Sequence, residues 1–458
     1  MNTTTKATFT DAVILIPGIM GSELVDSASH DVLWGLSDPR WYVAAWTHGT
    51  GLDRLVVTES ERNGDTSRVV ARRLLSAPAA LPVLHGVEPY GRLLRALQRA
   101  AAHPDAVRPF PYDWRLSVEH NAALLGRAIA EHLDSWQRHT YWAQAHGNAG
   151  QAGVVIVAHS MGGLVAQRYL DSAGAGSPVR TLVTLGTPFY GAVKTLEMLS
   201  SGRQRGLPHR RLRDLARTLP GVYDLLPTYR CVLAPSAARR LVVSDVVSIG
   251  GDPGLARAVL DKVPTPLKLG GAALRSYVGV DQPTTQSVRL ANGEAQGLHY
   301  IVDDDGQVDH AGDGTVFRKS ATVPATQAAY IPQTHTALAR ADEAIAYVRS
   351  VLTEGSFIAL PSAVPIGVDV PDVVAVGEEF AVGVTTAADA SALSCSVTEI
   401  GPNVAIEPPH WNERDGRLQA RLRLERPGIY RVDVKSGGYS PISQLLLVVP
   451  PVGMARTP

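Results

Sequence analysis

The sequence predicts an α/β domain built on a parallel sheet, followed by a smaller all-β domain. Three observations lead there. Apolar, β-branched runs near Ala12, Val107, Val154 and Val179 alternate with stretches of helical apolar spacing, the rhythm of a parallel sheet covered on both faces by crossover helices. The third of these runs, VVIV at Val154–Val157, stops at Ala158-His159 and presents Ser160 before Met161-Gly162-Gly163 opens a helix. After Phe357 the composition shifts to valine, proline and period-two alternation.

At 458 residues the chain is long enough for two domains. Lysine plus arginine equals aspartate plus glutamate at 43 each, so the overall balance points to no nucleic-acid partner and any electrostatic preference is local. The two cysteines, Cys231 and Cys395, are too far apart and too few for a disulfide framework or a cysteine metal cluster; both are read as small core residues. The polar start MNTTTKATFTDAV and the break at Pro17-Gly18 leave no signal-peptide apolar region. No stretch is long enough to span a bilayer. A cytoplasmic protein, peripheral at a membrane surface, is the expectation.

The first strand and its exit, AVILIPGIMG at Ala12–Gly21, end in a glycine loop. Trp34, Trp41 and Trp46 follow, either lining a pocket or packing the loop down. Leu93, Leu94 and Leu97 recur at helical spacing within Glu88–Ala102, as do Leu124, Leu125, Ile129 and Leu133 within Ser117–Trp142. Between them Val107–Arg115 is expected to be a strand and its exit, with Asp113 and Arg115 as a structural ion pair. The turn at Ser160 is a nucleophile elbow: a strained serine between small residues, its hydroxyl clear of the strand tip and a helix N-terminus beside it. Ala158 stands where glycine is commoner, and alanine still clears the turn. Met161 then offers one oxyanion amide, and Ile19, on the glycine loop after the first strand, the other.

Val179–Leu185 is the next strand, after which the rhythm breaks from about 190 to 271. This insertion is read as a cap or lid. It turns basic at Arg203, Arg205, Arg210, Arg211, Arg213 and Arg217, with Leu207, Leu212, Leu215 and Leu219 between them; arginines can meet phosphate headgroups while leucines meet acyl chains. Trp34, Phe189, Arg210, Arg211 and Leu215 are the expected substrate contacts. The sheet resumes near Ser276–Val280. Asp303, Asp304, Asp305 and Asp309 resemble a calcium loop, but Val308 and Gly314 occupy the places of its glycine and glutamate, and no metal is assigned. Asp313, on the glycine-lined loop before Val316, is placed as the triad acid. His335 follows the short strand Ala328–Thr334 and is placed as the base, ahead of a helix at Leu338–Leu352. The order Ser160, Asp313, His335 is the one this hydrolase arrangement uses. His159 lies too near the serine to act as base, and His299 and His310 precede the acid. No cofactor is required.

Taken together, PGIMGSEL at Pro17–Leu24, PYDWR at Pro111–Arg115, AHSMGGL at Ala158–Leu164, LGTPFYGA at Leu185–Ala192, LLP at Leu225–Pro227, GDGTV at Gly312–Val316 and His335 resemble the lecithin:cholesterol acyltransferase-like family of α/β hydrolases. The resemblance runs over about residues 11 to 352 and implies an α/β-hydrolase fold. It also implies an acyl-ester substrate, a phospholipid or other glycerolipid, with the acyl group passed from Ser160 to water or an alcohol. The disulfides of secreted animal members are missing, which speaks against extracellular lipoprotein work. A soluble ester or thioester, and a degenerate hydrolase core serving as an interaction protein, are the competing readings.

The last hundred residues fall outside the resemblance. IGVDV, EFAVGVTT, LSCSVTEI, RLQARLRL, YRVDV and QLLLVV, separated by turn residues, predict an immunoglobulin-like β-sandwich over 356–458, after a catalytic domain over 1–355. Tyr430 in PGIYRV resembles a corner tyrosine. Such a module is expected to bind a protein partner or a second copy of the chain.

Overall fold

A computed structural model describes residues 9–146, 152–200, 207–234, 238–262, 266–303, 306–354, 365–386, 390–406, 410–414, 417–437 and 440–451. Six strands form the central sheet: β1 (Ala12–Ile16), β2 (Val107–Pro109), β3 (Val154–His159), β4 (Val179–Leu185), β5 (Ala273–Val280) and β6 (Gln327–Pro332), in the order β6-β5-β4-β3-β1-β2. All five pairings are parallel. Every residue of β1 and β3 is buried, which explains their unbroken apolar runs: covered on both faces, these strands have no reason to alternate.

The helices α1 (Gly91–Ala100), α2 (Val118–Gln137), α3 (Met161–Ala173) and, beyond the insertion, α4 (Asp342–Glu354) do the covering. α2 packs on α3, and α1 on α4. The chain therefore reverses winding direction between β1 and β3, and the crevice beyond the carboxyl ends of those two strands is where an open α/β sheet binds ligands. Ser160 and the loop carrying Ile19 both leave from that point.

Several expected elements shift. Val107–Arg115 yields only the three-residue β2, because Pro109 and Pro111 end the ladder. Asp113 and Arg115 form the expected ion pair at 2.7 Å, completed by Glu61 at 2.7 Å, with all three buried. The helix expected at Leu338–Leu352 is a 3-10 turn at His335–Arg340 followed by α4.

The final segment forms two sheets around a shared core. One contains β7 (Ile366–Asp369), β9 (Glu379–Thr386), β13 (Arg417–Arg423) and β12 (Asn412–Arg414); the other contains β8 (Val373–Ala375), β15 (Ile442–Val449), β14 (Gly428–Ser436), β10 (Leu393–Glu399) and β11 (Val404–Ile406). The Tyr430 hydroxyl donates to the Arg426 carbonyl at 2.9 Å. All eight residues of β15 are buried. Ile442, Leu446 and Val448 enter the core between the two sheets, while Leu445, Leu447 and Val449 enter the core of the α/β part. The strand is thus a seam between the two parts.

Polar ties run along that seam. Thr334 Oγ1 donates to the Ser443 carbonyl at 2.5 Å, and the Gln333 side-chain amide donates to the Pro441 carbonyl at 3.0 Å. Glu88, with 2% of its side chain exposed, accepts from Arg431 Nε and Nη2 at 2.7 and 2.8 Å and from Arg340 Nη1 at 3.0 Å. Removing the carboxylate strands two part-buried guanidinium groups. Glu88→Ala is expected to lower stability by about 2 kcal/mol, less than a fully buried pair would lose because both arginines keep some solvent. A shift of the urea midpoint checks it, and an unmoved midpoint would deny the seam its role.

Candidate active site

The elbow forms because β3 ends in residues that tolerate crowding. Ser160 sits at φ 51° and ψ −127°, a conformation that costs an L-residue strain and persists only where its surroundings over-determine it. Its amide donates to the Leu185 carbonyl at 2.9 Å, and its carbonyl accepts from Gly163 at 2.9 Å. A Cβ on Gly162 would lie 2.4 Å from the Pro17 carbonyl oxygen, and one on Gly163 only 1.9 Å from Thr187 Oγ1. Both glycines are demanded by packing against the neighbouring strand ends.

His335 Nε2 lies 2.7 Å from Ser160 Oγ, and its Nδ1 lies 2.7 Å from Asp313 Oδ2. The carboxylate's other oxygen accepts from the amides of Thr315 and Val316 at 3.0 and 2.7 Å, so the acid is locked before it meets the imidazole. The His335 amide also donates to the Asp313 carbonyl at 2.7 Å. All three side chains are buried. Gly186, at φ +60°, leaves room for this pair: a Cβ there would stand 3.0 Å from Asp313 Oδ2 and 3.1 Å from His335 Nδ1.

Ile19 lines the same cleft as Ser160 and His335, and Met161 is the first residue of α3, whose leading amides have no partner within the helix. The loop carrying Ile19 is pressed on the elbow, since a Cβ on Gly18 would lie 2.9 Å from Ser160 Cβ. The cleft encloses about 560 Å³ including its open mouth and is walled chiefly by Leu84, Val87, Ala192, Met198, Leu225 and Val316. Lys194 lines it as well, paired with Glu197 at 3.4 Å.

The expected substrate contacts are corrected. Trp34 is fully buried among Trp46, Tyr42 and Trp114, its indole N–H donating to the Met20 carbonyl at 2.8 Å; it packs the loop rather than lining the cleft. Phe189, Arg210, Arg211 and Leu215 are also absent from the cleft wall. Leu212, Leu215 and Leu219 point into the main core, because the helix Leu207–Ala216 lies on the helix Pro39–His48. Its apolar stripe is already covered and does not face lipid. Arg211 lies over Gly49, and Arg217 donates to the Leu199 and Ile249 carbonyls. Arg203 and Arg205 lie outside the described residues, as do Asp304 and Asp305. The insertion reaches the cleft instead through Ala192–Met198 and Leu225.

Among the described residues, His103, Asp105 and His139 have ligand atoms within 4.8 Å of one another. Both rings, however, accept a backbone N–H at Nδ1, from Asp105 and Tyr141 at 3.2 Å each. Those lone pairs are taken, and the group is explained without a metal.

Tyr90, which the sequence does not single out, and His159, which it rejects as a base, complete the site. Tyr90 precedes α1; its hydroxyl accepts from the Gly18 amide at 2.9 Å and lies 2.7 Å from His159 Nδ1. His159 Nε2 in turn lies 2.9 Å from the His335 carbonyl. Burial, reinforced by the neighbouring His335, pushes the His159 pKa down to about 3. No periodicity or motif marks Tyr90, which reads only as the edge of a helix.

The model of the lecithin:cholesterol acyltransferase family matches residues 81–248. A human protein named lysosomal phospholipase A and acyltransferase is 32% identical over 127 residues, 26% of this chain and 28% of that protein. An uncharacterized protein of Saccharomyces cerevisiae is 28% identical over 177 residues, 38% of this chain and 23% of its own length. The match thus spans about a quarter of these relatives. Among solved structures, the Bacillus licheniformis lipase BlEst2 in its propeptide form aligns with 96% of this chain and 93% of its own at 12% identity, with a TM-score of 0.37.

Because folded His159 stays neutral to about pH 3 while the unfolded residue titrates near 6.5, the unfolded chain binds a proton that the folded chain refuses between those values. The His159 contribution to stability is therefore full above pH 6.5 and falls as pH drops below it, whereas Asp224, pushed up to about 6 by burial, slopes the other way between pH 6 and 3.8. His120 and His132, both lowered by burial, slope as His159 does, and Glu61, held at about 2 where Arg68, the Thr58 amide and Arg115 outweigh its burial, adds its loss only below 4.5. Between pH 7.5 and 5, His159→Gln should lose about 2 kcal/mol less stability than the parent. Paired urea titrations check this, and equal slopes would mean that His159 protonates in the folded state.

Proposed function

We propose that this chain, lecithin:cholesterol acyltransferase-like through residues 81–248, is a serine-dependent lipid acyl hydrolase or acyltransferase of the α/β-hydrolase fold. The observation carrying the reading is the pair of 2.7 Å hydrogen bonds from Ser160 Oγ through His335 to Asp313 at the floor of an apolar cleft. In the proposed reaction His335 Nε2 takes the proton as Ser160 Oγ attacks the ester carbonyl, and Asp313 Oδ2 stabilises the resulting imidazolium through Nδ1–H. The Ile19 and Met161 amides receive the developing oxyanion. His335 returns its proton to the departing alcohol oxygen, leaving an acyl-enzyme on Ser160. Water or an acceptor alcohol, deprotonated by His335, then releases the acid or a new ester.

The apolar wall supports an acyl chain, and the relative named phospholipase A and acyltransferase supports a glycerophospholipid or other glycerolipid source. In this reading residues 1–355 are the catalytic domain with a cap at about 190–271, and 356–458 are an immunoglobulin-like domain, supported by the Tyr430–Arg426 bond. The seam along β15 supports a bracing role for that domain ahead of partner binding or self-association. No helix of the described residues is long and apolar enough to cross a membrane. The two cysteines, buried and unpaired, accord with a cytoplasmic setting at a membrane surface.

Incubation with glycerophospholipid vesicles and a neutral-lipid emulsion, with and without a long-chain alcohol, should release fatty acid or lysolipid, or form new esters. Ser160→Ala should cut turnover by about 10⁵-fold or more with an unchanged unfolding midpoint. Full activity in that variant sinks the mechanism. Silence on every lipid, with Ser160 still labelled by a fluorophosphonate, moves the substrate to a soluble ester.

A further inference from the structure

Gly18, Tyr90, His159 and His335 form one buried line of hydrogen bonds whose polarity can be assigned bond by bond. The Gly18 amide can only donate, so at 2.9 Å the Tyr90 oxygen accepts from it. The Tyr90 proton is then directed to His159 Nδ1 at 2.7 Å, making that nitrogen the acceptor. At the other end the His335 carbonyl can only accept, so His159 Nε2 carries the ring proton across 2.9 Å. Every donor and acceptor in the line is matched only if His159 is neutral. A second ring proton would face the Tyr90 hydroxyl and leave that hydroxyl's own proton without this acceptor.

The line ends on two loops with different tasks. The Gly18 carbonyl accepts from the Gly21 amide at 3.1 Å, so both peptide planes flanking Gly18 are fixed, one by Tyr90 and one by Gly21. The Ile19 N–H belongs to the second plane and points opposite to the Gly18 carbonyl, as a trans peptide requires. Its direction is thus set by these two bonds, at a residue that lines the cleft. At the far end, His335 is held through its own amide, by the Asp313 carbonyl at 2.7 Å, and through its carbonyl, by His159. The strand end that presents Ser160 therefore also connects the loop after β1 to the loop after β6.

We propose that Tyr90 and His159 are positioning residues that hold the oxyanion amide of Ile19 and the base His335 in register with Ser160, acting as a neutral relay rather than as a proton donor or second base. The proposal rests on the serine-hydrolase reading and extends it to two residues that touch no substrate atom undergoing bond change. An interaction needed only as charge develops on the carbonyl oxygen lowers kcat when it is misaligned and leaves ground-state binding alone.

Tyr90→Phe keeps the ring and removes only the hydroxyl. With a short-chain p-nitrophenyl ester, it should lower kcat roughly 10- to 100-fold at nearly constant KM, the cost of small misplacement rather than of losing the donor. Affinity for a boronic acid that mimics the tetrahedral intermediate should fall by the same factor as kcat/KM. Hydrogen exchange at the Gly18 amide should accelerate in the variant. His159→Gln, which offers an acceptor and a donor without an imidazole, should retain more activity than His159→Ala, and provides the test if Tyr90→Phe folds poorly. Wild-type kcat in Tyr90→Phe, or a loss borne by KM with the boronic acid still bound at full strength, overturns the positioning role while leaving the Ser160 mechanism in place. A parent protein inactive on esters and unlabelled by a fluorophosphonate overturns the serine-hydrolase reading, and the relay's role falls with it.

Discussion

The strained backbone of Ser160 is the constraint that organises the α/β part. A residue at φ 51° and ψ −127° relaxes unless it is boxed in, and the box consists of the ends of the two neighbouring strands. Leu185, at the end of β4, accepts its amide. The exits of β1 and β4 press on the first turn of α3 so closely that only glycine fits at 162 and 163. Crowding on one side requires Gly18 and on the other Gly186. The glycines of three separate segments thus answer one geometric demand: two loops and a helix must converge on a single hydroxyl.

Convergence of that kind needs a rigid frame, and the C-terminal unit contributes to it. A sheet with one face in water would show alternation along each strand. β15 shows none, because its two side-chain rows belong to two different cores. The backbone carbonyls of Pro441, just ahead of it, and of Ser443 within it receive the side chains of Gln333 and Thr334, immediately before His335. Hydrogen bonds from a strand place a loop more firmly than solvent can, so the Asp313–His335 geometry draws on residues more than a hundred positions downstream.

These facts explain what was legible in the sequence. The parallel sheet, the elbow and the chain order of Ser160, Asp313 and His335 are local patterns: a period, a turn composition and a succession of elements. The six strand segments of the final unit were legible for the same reason, with strands at each of them. Tertiary environment was not. The basic, leucine-containing stretch around Arg210 has the amphipathic pattern of a lid, yet the pattern states only that one face is covered, and the helix Pro39–His48 covers it. Trp34 illustrates the same limit, since an indole in a loop packs as readily as it binds. One signal was available and unread: QLLLVV is continuous rather than alternating, which already implies a strand buried on both faces.

The neutral state of His159 has an energetic reason to be enforced. Its ring centroid lies 5.1 Å from that of His335, and in the proposed reaction positive charge builds on the latter as Ser160 attacks. Two unit charges at that separation, with an effective dielectric near 20, repel by about 3 kcal/mol, a factor of roughly 100 in rate. A histidine beside the nucleophile is therefore tolerable only if it stays uncharged throughout the working pH range. Burial and the neighbouring His335 lower its pKa, but burial would act equally on a ring of either tautomer. The Tyr90 hydroxyl and the His335 carbonyl choose one tautomer, and it is the one whose N–H dipole points at the backbone of His335. The residue flanking the serine can thus be polar, hydrogen-bonded on both edges and electrically silent at once.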